Sequence, residues 1–193
     1  MHQKLITYIN KRTNSVLTSE DEALIEKAFQ PKKLRKKQYF LQVGDVCKHT
    51  GFIVKGAMRQ YNVDDKGVEH IVNLYIENYW ATDRESSIML TPSDYNIDAW
   101  EDTELLIITR AEMLDLMTKI PALVDMIRSM DERNAIASQR RLSSTIGSTA
   151  DKRYQDFADN HPQFIQRFPQ HIIASYLGIT KETLSRVRKQ LMK

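Results

Sequence analysis

The closing stretch GITKETLSRVRKQLMK, residues 178–193, carries Lys181, Glu182, Ser185, Arg186, Arg188 and Lys189 at spacings that gather them on one side of a helix. Ammonium and guanidinium groups ranged on one face can neutralise phosphates or bond to other anions. At 100° per residue, Leu184, Val187 and Leu191 gather on the opposite arc. The polar face is either a plain solvated surface or a surface that reads a partner. Charge favours an anionic partner. Residues 148–193 hold eight basic and four acidic side chains, while residues 1–147 hold twenty and twenty-one.

The residues just before this helix say how it is positioned. Ile173, Ala174 and Leu177 fall on one face of a preceding helix, with Ala174 small where a second helix crosses. Gly178 supplies a positive-φ turn, and Ile179 can plug it. Thr180 is a good N-cap, and Glu182 in the first turn suits the helix dipole. Several independent positions therefore agree on a helix-turn-helix with a polar-basic outer face.

Farther upstream, residues 18–29 read as a short capped helix that Pro31 ends. Residues 34–109 read as short strands broken by turns at Gly44, Gly56 and Gly67, which suggests a β-barrel or jelly roll. The basic run PKKLRKK, residues 31–37, fits a solvated strand edge, with a polyanion patch as the alternative. After residue 109 the period becomes helical. Pro121 suits the first turn of a long helix reaching Gly147. Along it Leu123, Ile127, Met130, Asn134 and Ala137 follow a four-three spacing, the pattern of a seam between two copies, with a packing face inside one chain as the alternative. ADKRYQDFADNH is helical, anchored by Tyr154 and Phe157, and HPQFIQRFPQ reads as a linker.

Composition narrows the class. With 41% hydrophobic and 27% charged residues the chain reads as an ordinary globular protein. No apolar run approaches membrane-spanning length, and the start lacks the marks of a signal peptide. The single cysteine, Cys47, excludes an internal disulfide and a cluster needing several thiolates, so a cytoplasmic setting is expected. His49 and His70 stand alone and read as structural, with a haem ligand as the alternative; Trp80 and Trp100 read as core, with the lining of a ligand cavity as the alternative. No phosphate loop, metal cluster or nucleophile with a matched base is legible. The expectation is therefore no enzyme, no metal and no cofactor.

Segment by segment the chain resembles the Crp/Fnr family of bacterial transcription regulators, which includes the cyclic-AMP receptor protein. IASYLGITKETLSRVRK is similar to that family's C-terminal helix-turn-helix. FLQVGDVCKHTGFIVKGAMRQYNVDDKGVEHIV is similar to its β-roll, and DAWEDTELLIITR to the last strands. The wording of ADKRYQDFADNHP and FPQHIIASYLGIT is nearest to Bacteroidetes-type members. The resemblance covers nearly the whole chain. It implies an α+β fold with a cyclic-nucleotide-binding-like β-roll over residues 1–118, a dimerisation helix over 119–147, and a DNA-binding helix-turn-helix over 148–193. The family's wing is expected to be absent or truncated.

Residue by residue, the resemblance implies base contacts by Lys181, Glu182 and Arg186. An Arg can donate two bonds to guanine O6 and N7, and a Glu can accept from cytosine N4. Lys181 departs from the Arg common at that place. Thr180, Thr183, Ser185 and Lys189 suit phosphates. The family's cyclic-AMP-binding members carry Gly-Glu and, farther on, Arg-Ser-Ala. Here Thr82 and Asp83 take the first place, and Ser93 and Asp94 the start of the second. These four residues mark the place of an effector pocket, but without the Arg no response to cyclic AMP is expected. Duplex DNA with a palindromic site, a second copy of the chain and RNA polymerase are the expected partners, and a small-molecule effector stays open. A second reading has the C-terminal module binding protein rather than DNA.

Overall fold

Strand residues that alternate between two apolar surroundings, rather than between core and water, shape this protein. The computed structural model describes residues 1–191, the side chain of Leu191 excepted. Eight strands form two antiparallel sheets. One runs β1 (Gln30–Leu34), β8 (Thr103–Thr109), β3 (His49–Lys55), β6 (Trp80–Ala81). The other runs β2 (Tyr39–Leu41), β7 (Asn96–Ala99), β4 (Met58–Val63), β5 (Glu69–Tyr75). Ile53, Leu105, Met58 and Ile97 point between the sheets and fill the roll. Phe52, Val54, Leu106 and Ile108 point outward from the first sheet. That face is covered by the helices α1 (His2–Thr13), α2 (Ser19–Ala28), α4 (Arg110–Lys119) and the start of α5 (Pro121–Gly147). Because the first sheet is covered on both faces along β3 and β8, those two strands read as apolar runs such as FIV and LLII.

The punctuation follows local chemistry. Thr18 and Thr109 each close a capping box, with Asp21 and Glu112 reaching back to the cap N–H groups. Asp64 accepts the N–H groups of Lys66 and Val68 and so builds the β4–β5 turn that the sequence marks. Pro121 opens α5 at its first turn, as expected.

Several expectations need correction. Pro31 does not end α2. The helix stops at Ala28, and Pro31 lies in β1 opposite Leu106. A proline fits there because β1 is an edge strand. Two helices carry no clear sequence signal. One is α1, whose start has no side-chain cap; the other is α3 (Arg84–Met89), six residues long. The seam on α5 also divides. Leu123 is 0% exposed within a single chain, and Ile127 and Met130 pack on the same core. Leu123 thus serves the protomer and cannot meet a second copy. Asn134 and Ala137, farther along, are exposed.

Gly56 joins β3 to β4 at φ 105°, and a Cβ there would stand 2.5 Å from Thr103 Oγ1 and 2.7 Å from the Asp102 carbonyl. Gly56→Ala should therefore cost about 1–3 kcal/mol of stability, read as a lower urea midpoint with an unchanged slope.

Candidate nucleic-acid interface

Four helices follow α5: α6 (Ala150–Asn160), α7 (Pro162–Arg167), α8 (Gln170–Tyr176) and α9 (Lys181–Leu191). HPQFIQRFPQ is not a bare linker. Pro162 starts α7, and Phe164 and Phe168 are buried. A proline at the first helical turn loses no hydrogen bond, so two aromatic anchors suffice to fold the segment.

The α8–α9 turn matches the sequence reading. Ile179 N–H bonds to the Ala174 carbonyl and Gly178 N–H to the Ser175 carbonyl, both at 3.0 Å. Gly178 sits at φ 65°. This is the double hydrogen bond that ends a helix through a left-handed residue. Thr180 Oγ1 then accepts Thr183 N–H at 3.1 Å and caps α9. It also donates to Thr183 Oγ1 at 3.0 Å. The Thr180 proton is thereby engaged inside the turn, and the Thr183 hydroxyl proton is the one left for an outside acceptor.

Leu184 and Val187 are buried. The place that the sequence gives to Leu191 lies outside the described residues. On the other side Lys181, Glu182, Arg186 and Lys189 line the open face together with Thr183 and Ser185, which are half-buried. Lys181, Glu182, Ser185, Arg186, Lys189 and Gln190 border one shallow open groove of about 520 Å³. Gln190 is absent from the sequence-based set. Its position four residues after Arg186 carries the signal, because i and i+4 share a helix face. An Asn or Gln amide can both donate and accept, as adenine recognition requires.

These helices are seated on the outer face of the β2-β7-β4-β5 sheet. Tyr61, Ile71, Leu74 and Ile76 share one apolar cluster with Phe157, Phe164, Phe168, Ile172, Ile173 and Leu184. Polar pins surround it. Ser175 Oγ accepts Ile71 N–H at 3.0 Å and donates to the Glu69 carbonyl at 3.1 Å, so one hydroxyl pairs the free edge of β5. Arg141 of α5 donates to the Val72 carbonyl and lies over the Tyr176 ring. Arg167 bonds to Glu101 at 2.6 and 2.8 Å and to Glu77 at 3.1 Å. Beneath, buried Arg59 spans Asp98 and Glu69 and stacks near Tyr61 and Trp100, which itself meets Phe168 and His171.

The expected effector place looks different. Asp83 and Ser93 are buried and bonded to each other at 2.5 Å. Thr82 lies half-buried beside Cys47 and Thr50. Asp94 is exposed. The structure thus joins two of the four residues and leaves Asp94 at the surface. Arg84, the one cation at hand in sequence, is paired to Asp131 of α5. The histidines read as structural have local partners or settings. His70 bonds to Asp64 at 2.9 Å, and burial, with Lys32 nearby, lowers the pKa of His49. Among the described residues no cluster of three His, Cys, Asp or Glu side chains could hold a metal ion, and no helix is long and apolar enough to cross a membrane.

Residues 31–119 match the cyclic nucleotide-binding domain family. Among solved structures, FixK2 from Bradyrhizobium japonicum is 17% identical with a TM-score of 0.73, covering 85% of this chain and 84% of that one. A transcriptional regulator of the Crp/Fnr family from Eubacterium rectale is 17% identical with a TM-score of 0.64, covering 91% and 84%. The catabolite activator protein of Thermus thermophilus is 20% identical with a TM-score of 0.57, covering 91% and 84%. At these identities the likeness is one of fold. No curated protein sequence matches the chain significantly.

The Arg167 clamp has a pH dependence. Burial pushes the Glu77 carboxyl up, but the Gly56 N–H and the Arg167 guanidinium outweigh it and hold it below the ordinary value of 4.5. A depressed folded value means stabilisation that is complete above the unfolded value and lost as pH falls through the folded one. Acidification below 4.5 should thus speed amide exchange in α7 and α8. In Arg167→Ala the pH response should shrink without vanishing, since the Gly56 N–H remains.

Proposed function

We propose that this chain, a cyclic nucleotide-binding domain with the Crp/Fnr fold, is a homodimeric transcription regulator that reads duplex DNA through a helix-turn-helix formed by α8 and α9. The observation that carries this reading is the two-sidedness of α9. Its apolar side is buried in the protomer, and its basic, amide- and carboxylate-bearing side is open. Lys181, Glu182 and Arg186, joined by Gln190, are assigned to base edges. Thr183, Ser185 and Lys189 are assigned to phosphates, and Thr180 to presenting them. The reading in which the last helices bind protein finds less support, because their apolar surface already faces the roll.

The second copy is assigned to the far half of α5. Leu142 is 62% exposed and Ile146 78%, and both share a face with Val124, Ala135 and the small Ser138. Asn134 stands at the margin of that face and Ala137 turns away from it. Two reading helices would then meet half-sites about one helical turn apart. RNA polymerase is the expected protein partner. Cyclic AMP is not the expected effector, because Ser93 stands where an arginine would neutralise the phosphate.

Selection from random duplex DNA should return a palindrome, and a failure to enrich any sequence would overturn the proposal. Arg186→Ala should lose about 1–3 kcal/mol of discrimination at one symmetric base-pair position, measured by competition between site variants. Affinity should fall steeply with salt for both proteins. Leu142→Glu should shift the protein from dimer to monomer in sedimentation velocity while its helix content is retained.

A further inference from the structure

Two adjacent residues at the start of α3 face opposite ways. Asp83 turns into the roll, where it is 5% exposed, and meets Ser93, which is 2% exposed. Ser93 Oγ donates to Asp83 Oδ2 at 2.5 Å, and Asp83 Oδ1 takes the Ser86 N–H at 3.4 Å. The carboxylate therefore supplies negative charge to the first turn of α3 and joins that turn to the facing segment. The rest of the segment is stitched shut. Ser86 Oγ accepts Cys47 N–H at 2.9 Å and donates to the Thr91 carbonyl at 2.6 Å. Ser93 N–H meets the Asp45 carbonyl at 2.9 Å, and Gly44 N–H meets the Ser93 carbonyl at 2.8 Å.

Arg84, the next residue, turns outward. Both its terminal nitrogens bond to the Asp131 carboxylate on α5. One peptide bond and the Arg84–Asp131 ion pair thus link the buried Asp83–Ser93 bond to the long helix that leads to α6–α9. The pair is solvated, so its role is to set register more than to add stability.

We propose that the roll is locked from within: the Asp83 carboxylate does the work of a bound anion, holds α3 closed, and through Arg84–Asp131 keeps α5 in its DNA-reading position with no effector present. This rests on the DNA-reading function proposed above. A soluble phosphate would have to displace a tethered carboxylate, whose effective concentration is high, and would be repelled by it.

The test uses the full chain and a selected duplex site. Ser93→Ala, which leaves the cap intact, Asp83→Asn and Arg84→Gln should each weaken binding about five-fold or more. The double variant Ser93→Ala with Arg84→Gln should be no weaker than the poorer single one, since both break one path. Added cyclic AMP should leave the unaltered protein's affinity where it is. Variants that bind normally, losses that multiply, or a gain of about five-fold with cyclic AMP would each overturn the lock. Amide exchange in α3 and α5 of the Ser93→Ala protein, measured without DNA, should rise, and unchanged exchange also overturns it. That arm separates the two ideas: should the unaltered protein select no site, the DNA reading fails, while exchange still decides the lock.

Discussion

The outer face of the β2-β7-β4-β5 sheet is apolar, and water is a poor cover for it. Ala57, Tyr61, Ile71, Leu74 and Ile76 would lie bare without the last four helices. Covering them determines what those helices have left to offer. Leu184 and Val187 turn inward with Phe157, Phe164 and Phe168, so Lys181, Arg186 and Lys189 of α9 must turn outward. The same contact leaves β5 as a sheet edge, with N–H and carbonyl groups that need partners. Ser175 and Arg141 supply them. The roll and the terminal helices are thereby one packed body, joined where Ser175 of α8 meets β5.

Charge burial in that body follows the same need for partners. Arg59 sits almost dry, and an isolated guanidinium would not be tolerated there. Burial alone would lower its pKa, but hydrogen bonds to Asp98 and Glu69 more than reverse this and keep it charged. Its plane also lies near Tyr61 and Trp100, so the cation braces the aromatic floor on which Phe168 and His171 rest. Arg167 does similar work at the rim, where Glu101 and Glu77 hold its charge.

Helix α5 changes surroundings along its length. Its first turns bury Leu123 and Met126 against α1 and the first sheet. Its later turns carry Leu142 and Ile146 in the open. A heptad count along the sequence merges these roles, because apolar spacing records that a face is buried and not by which chain. Inside the roll, Asp83 and Ser93 likewise read as part of an effector pocket in sequence. In space they partner one another.

The sequence by itself determined what nearest neighbours along the chain decide. The Thr18 and Thr180 caps, the Asp64 turn, the Gly178 turn and the polarity of α9 all depend on residues within a few positions of each other, so their chemistry is legible in order. Only the tertiary structure decided which apolar face meets which. It withdrew Leu123 from the seam, made a folded segment of HPQFIQRFPQ, added Gln190 to the open face of α9, and joined Asp83 to Ser93 and Arg84 to Asp131. Those pairings bring together groups from separate elements. Hydrophobic burial, which brought them there, is non-directional and leaves no trace of its partner in the local pattern.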